Sequence, residues 1–110
     1  MKKENLFHIS GNGTRESEVF ETLLKTGDLL VERIISHGQA TATGEWYDQD
    51  QDEWVVLLTG KASIRFSPGE IIELLPGDYL FIPAHQRHRV ESASADPECI
   101  WLAIHGKLKN

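Results

Sequence analysis

The chain has 110 residues, 40% hydrophobic and 25% charged, with a formal net charge of −6. That length holds one domain and excludes two, and that composition supports a buried core rather than disorder. The acidic balance argues against nucleic acid and anionic membrane surfaces as partners, because both need Lys and Arg in excess.

A single cysteine, Cys99, excludes an internal disulfide. Met1-Lys2-Lys3-Glu4-Asn5 leads into no apolar stretch of the signal-peptide kind. No run approaches the ~18 apolar residues of a membrane span, so the cytoplasm is the expected compartment. Asn12-Gly13-Thr14 matches a glycosylation sequon and reads as part of a turn.

Along the chain, Leu6, Phe7 and Ile9 predict a short edge strand before the turn cluster Gly11-Asn12-Gly13. Residues 15–26 read as a helix. Thr14 stands at the N-cap, Glu16 and Glu18 in the first turn, and Val19, Phe20, Leu23 and Leu24 fall at helical spacing. Gly27 supplies its stop. Beyond it the pattern becomes β. Strands are predicted over 29–36, 53–58, 61–66, 71–75, 79–82, 88–92 and 99–105. Turn signals such as Thr59-Gly60, Ser67-Pro68-Gly69 and Pro76-Gly77-Asp78 separate them. Strands of that rhythm predict a sandwich or closed barrel with the helix packed outside. The expected division is an arm and helix over 1–28 and a barrel over 29–110, forming one domain.

Two stretches carry a family pattern. Glu53 and Gly60 are separated by six residues; Gly77 and Pro83 are separated by five, and His88 follows. These spacings, over roughly residues 30–105, resemble the two motifs of the cupin family. The run Leu75-Pro76-Gly77-Asp78-Tyr79-Leu80-Phe81-Ile82-Pro83-Ala84-His85-Gln86-Arg87-His88 resembles the second motif closely. The first motif's His-x-His pair is replaced by Tyr47 and Gln49, or by Trp46 and Asp48 on the alternative spacing. His85 stands where the family has Gly. The Trp46-Tyr47-Asp48-Gln49 run is similar to a subgroup of small, uncharacterised cupins.

The resemblance implies an all-β cupin double-stranded β-helix, a jelly-roll barrel with one N-terminal helix. It also implies a divalent metal (zinc, iron, nickel, cobalt or manganese) held inside by imidazoles and a carboxylate. On that reading Glu53 and His88 are metal ligands by motif position, Gln49 offers an amide oxygen, and His85 replaces a missing imidazole. Tyr47, Trp46 and His105 are expected at the pocket. Side chains two apart on a strand share a face, so Tyr47 and Gln49 point the same way. Asp48, Asp50 and Asp52 read as a solvated acidic rim, since a calcium loop's glycine and distal glutamate are missing. His8 and His37 are expected at the surface, and Trp54 and Trp101 in core or interface.

Two functions follow from the resemblance. One is a metal-dependent dioxygenase, isomerase or lyase acting on a small molecule. The other is a non-catalytic sugar- or organic-acid-binding barrel that has lost its metal. Cupins commonly pair through their outer sheets, which implies a homodimer.

Overall fold

The computed structural model describes residues 1–9 and 16–108. Gly11-Asn12-Gly13 and Thr14 therefore lie outside the described residues. Eight strands follow one another: β1 (Val19–Thr26), β2 (Leu29–Ser36), β3 (Asp52–Thr59), β4 (Ala62–Phe66), β5 (Glu70–Leu74), β6 (Tyr79–Ile82), β7 (His88–Ala93) and β8 (Cys99–Gly106). They form two antiparallel sheets, one in the order β1-β2-β8-β3-β6 and one in the order β5-β4-β7. The architecture is all-β and jelly-roll-like, as the strand rhythm predicts. It differs from a closed barrel in that the sheets stay separate and face each other across the core.

Among the described residues, the helix predicted over 15–26 is not there. Val19–Thr26 forms β1, paired antiparallel with β2. The reason lies in the residues that ended the supposed helix. Gly27 has φ 50°, and Thr26 and Leu29 pair across the two-residue loop Gly27-Asp28. A glycine with positive φ at the first loop position is the signal of a tight hairpin, and it serves a helix stop equally well. Val, Phe and Thr in the same run favour a pleated strand. A bulge between Thr22 and Leu24 shifts the pattern mid-strand, which is why Phe20, Leu23 and Leu24 imitate a helical stripe. The boundary expected at residue 28 consequently falls inside a hairpin.

The predicted strand over Leu6, Phe7 and Ile9 is also absent, and residues 1–9 run as an arm with a turn at Leu6-Phe7. Its carbonyls are held by Arg33, whose Nη1 donates to Leu6 O at 2.9 Å and His8 O at 2.8 Å. The Nε of the same buried guanidinium donates to Glu21 at 2.6 Å. One arginine fork thus ties the arm to β1 and β2.

Between the sheets lies an apolar core built from Val55, Leu57, Ile64, Leu74, Ile82 and Trp101. Alternation places Glu53 on the same inward row as Val55 and Leu57. In register, Glu53 stands between His105 on β8 and Ile82 on β6. One end of the core is therefore polar.

The motif glycine Gly60 closes the β3–β4 turn with φ 88°. A Cβ there would sit 2.7 Å from Cys99 Sγ and 3.0 Å from Cys99 Cα and Glu98 O. Backbone and a buried thiol block the space, so the fold demands glycine on two counts. Gly60→Ala is expected to lower unfolding free energy by about 2 kcal/mol or more in urea denaturation. A loss below about 0.5 kcal/mol would contradict this account.

Candidate functional site

The polar end of the core opens into a cavity of about 70 Å³, room for several waters or a small ligand. From the five-stranded sheet and the residue just before it come Glu18, Glu32, Glu53 and His105. His88 enters from β7 opposite, and Tyr47 and Gln49 from the segment between β2 and β3. Phe20, Trp101, Ile34, Val55 and Ile82 supply the apolar wall. No Lys or Arg is among the described lining residues. A second, more open hollow beside the acidic loop shares Glu32, Gln49 and His105 with the first and adds Asp48 and Asp50.

Backbone pairing brings Tyr47 to His88. Tyr47 N donates to His88 O at 2.8 Å, and His88 N donates to Tyr47 O at 3.1 Å. Their rings stack at 5.5 Å. His88 is further held by Nδ1, which lies 2.8 Å from the Gln86 carbonyl. A carbonyl only accepts, so Nδ1 carries the proton and Nε2 faces the cavity. Nε2 lies 3.7 Å from Glu53 Oε1, a charge contact rather than a hydrogen bond. Burial opposes the imidazolium. The Glu53 carboxylate and the Gln86 carbonyl outweigh it, so the His88 pKa rises above the ordinary histidine value.

A second pair stands beside the first. His105 Nε2 and Glu32 Oε1 are 2.9 Å apart, and both side chains are largely buried. Glu32 and Glu18 escaped the sequence reading. Glu32 shares one face of an apolar strand with Leu30 and Ile34, and periodicity does not say which face is inward. Glu18 was assigned to a helix turn; burial raises its carboxyl pKa. Tyr47 is raised too, by burial and then by the charges of Glu18, Glu53, Glu45 and Glu32.

Of the residues expected to share a metal, the structure gathers Glu53, His88 and Gln49 at one cavity, with Tyr47 and His105 beside them. It does not gather His85 or Trp46. His85 has φ 65°, which accounts for the family's glycine at that place. Its ring points out to the rim, 65% exposed, with Nδ1 2.9 Å from Asp48 Oδ1. Trp46 lies off the cavity, with the Arg87 guanidinium 5.1 Å above its ring. Asp52, read as rim, is a clasp. Its carboxylate accepts the backbone N–H groups of Ala84 and Leu108 at 2.9 and 3.0 Å, which lowers its pKa.

The donor set was weighed against the metal that the resemblance implies. Among the described residues, no three His, Cys, Asp or Glu side chains stand together so as to share an ion. Glu53 and His88 converge, but the imidazole of His105 is engaged by Glu32 and that of His85 by Asp48. Gln49 brings only a neutral amide, and the raised phenol of Tyr47 keeps its proton. These residues do not fit a centre of two or three imidazoles and a carboxylate.

Residues 32–105 match the family model described as Cupin domain. The chain is similar to a crystal structure from Ralstonia eutropha JMP134, a protein provisionally named a mannose-6-phosphate isomerase. Identity is 42% and the TM-score 0.90, with 97% of this chain and 99% of that one covered. A cupin superfamily protein from Desulfitobacterium hafniense DCB-2 is similar at 19% identity and TM-score 0.73, with 88% and 84% covered. The Fe(II) form of HppE with its substrate is similar at 14% identity and TM-score 0.68, with 79% and 52% covered. At such identities the last two show the fold alone. A comparison with curated proteins found no match.

The His88 geometry makes a pH prediction. A histidine raised above its ordinary value stabilises the fold fully below about pH 6.5, and that increment is lost as pH rises through the folded pKa. The stability difference between the native chain and His88→Gln should therefore shrink as pH rises from there. By NMR titration His88 should titrate above about 6.5, and lower in Glu53→Gln. An unchanged value in that variant would remove Glu53 as the cause.

Proposed function

The chain belongs to the cupin family, and within it we propose that the protein binds a small polar molecule between its sheets and moves a proton on it without a metal. The observation that carries this reading is the Glu32–His105 pair, 2.9 Å apart and facing the cavity. The carboxylate engages Nε2, which orients the ring. Nδ1 of His105 has no hydrogen-bond partner among the described residues, so it is free to take and return a proton. Tyr47 keeps its phenolic proton and donates a hydrogen bond to a ligand oxygen. The apolar wall excludes bulk water and strengthens these charges.

Proton transfer of this kind serves isomerases and lyases. The isomerase name of the Ralstonia protein supports the reaction class. A phosphorylated sugar finds less support, because no Lys or Arg is among the described residues around the cavity. The test is proton exchange in heavy water, followed by NMR on a panel of small carbonyl compounds at millimolar concentration. The native chain should wash out a C–H proton adjacent to a carbonyl, and His105→Gln should slow this by about 10²-fold or more. A chelator should leave the rate unchanged. Exchange that survives in His105→Gln, or that stops with chelator, would end this reading.

We further propose that a second copy of the chain is its macromolecular partner. The outward face of the five-stranded sheet carries Trp54 and Tyr79, with ring centroids 5.3 Å apart. Tyr79 is 64% exposed, and Leu23 on the edge strand is exposed as well. An apolar face beside an open strand edge is suited to a self-complementary contact. Light scattering at micromolar concentration should give twice the chain's mass, and Tyr79→Glu should give one; a monomeric native chain contradicts the proposal.

A further inference from the structure

Glu53 is a charged group at the cavity whose needs the protein itself leaves unmet. The Glu53 side chain is nine-tenths buried, with 10% of its surface accessible. No described residue donates a hydrogen bond to it, and the ion-pair contact it makes is with His88 Nε2 at 3.7 Å. A buried carboxylate without donors is costly, so a donor brought by a ligand gains most at this point. His88 adds a second acceptor. When the ring is neutral, with its Nδ1 proton committed to the Gln86 carbonyl, the lone pair of Nε2 turns into the same space. Two acceptors 3.7 Å apart can each take an N–H bond of about 2.8 Å from a single ammonium nitrogen.

The surroundings favour the same charge. Glu18 and Glu32 line the cavity with Glu53, and no Lys or Arg is among the described lining residues to oppose them. The adjoining hollow adds Asp48 and Asp50 along an approach to Glu32 and His105. A cleft lined by one sign of charge draws in the opposite sign. Phe20, Tyr47 and Trp101 line the cavity as aromatic side chains, a residue type that attracts organic cations and accepts their apolar portions.

We propose that the ligand is a small organic amine, bound through its ammonium group to Glu53 and His88 with its carbon skeleton against the aromatic and aliphatic wall. This rests on the cavity being the binding site, as argued above, and it assigns the ligand's charge class. Anchoring at Glu53 leaves the Glu32–His105 pair free for proton transfer on the rest of the molecule.

The test is a titration of the full chain with probes matched in size and shape: n-butylammonium, n-butanol, butanoate and n-butyl phosphate, with zinc and manganese ions alone. It is run at about pH 8.5, above the ordinary histidine range and below that of alkylamines. Binding is read by intrinsic tryptophan fluorescence, to which the cavity's Trp101 contributes, and by calorimetry. The ammonium probe should bind at least about tenfold more tightly than butanol, and Glu53→Gln should abolish that preference while butanol binding persists. Glu18→Gln, which leaves the anchoring pair intact, should weaken the ammonium probe by a smaller factor. Binding that favours butanoate or the phosphate overturns the charge assignment but leaves the cavity as a binding site. Stoichiometric metal binding with no amine binding overturns it as well. If no probe of any charge binds, both this inference and the binding reading beneath it fall.

Discussion

The pairing register of β3 is the constraint on which the site depends. β3 lies between β8 and β6, and its register sets Glu53 opposite His105 on one side and Ile82 on the other. Side chains alternate faces along a strand, so a slip of one residue would turn Glu53 outward and Trp54 into the core. The apolar row Val55 and Leu57 prevents that slip, because the same slip would expose both. The energy that buries the core thus holds a carboxylate where burial costs free energy.

That carboxylate organises the electrostatics around it. Three glutamates and two histidines face one small cavity, but they are not equivalent. Glu32 is satisfied by His105 at hydrogen-bond distance, while Glu53 reaches His88 only through a charge contact. One pair is therefore complete within the protein and the other is incomplete. Groups of the same chemical type can serve different roles when their surroundings differ in this way. Tyr47 and Gln49 occupy places where the family resemblance puts imidazoles, so a phenol and an amide line the cavity there instead.

The rim shows the same economy of backbone and side chain. His85 takes a backbone conformation that suits glycine, so its ring is directed outward to Asp48 while its N–H reaches the Gln49 carbonyl. Asp52, one place before Glu53, binds the N–H groups of Ala84 and Leu108 and joins the chain's end to the loop before β7. Neighbouring carboxylates on opposite faces of one strand thus serve structure and site respectively.

Much of this was legible in the residues. The β rhythm from Leu29 onward located seven strands to within a residue or so at their ends, because alternation and Gly/Pro turns are local signals. The spacing of Glu53, Gly60, Gly77 and His88 placed the two residues that meet across the cavity. The first strand was misread because a bulge and a Gly-Asp turn carry helix-like signals, and only pairing with β2 separates the two. Glu32 and Glu18 were invisible as site residues, since periodicity gives two faces without saying which one is buried. His85, inside the second motif, reads as a replacement for the missing imidazole. Its positive φ, a property of the folded loop, sends it the other way. Local signals in the residues located the strands from Leu29 onward, the turns between them and the motif residues, because those follow from local sterics and hydrophobic period. Tertiary structure alone decided which carboxylates and imidazoles meet, because that depends on register and on the facing of two sheets far apart in the chain.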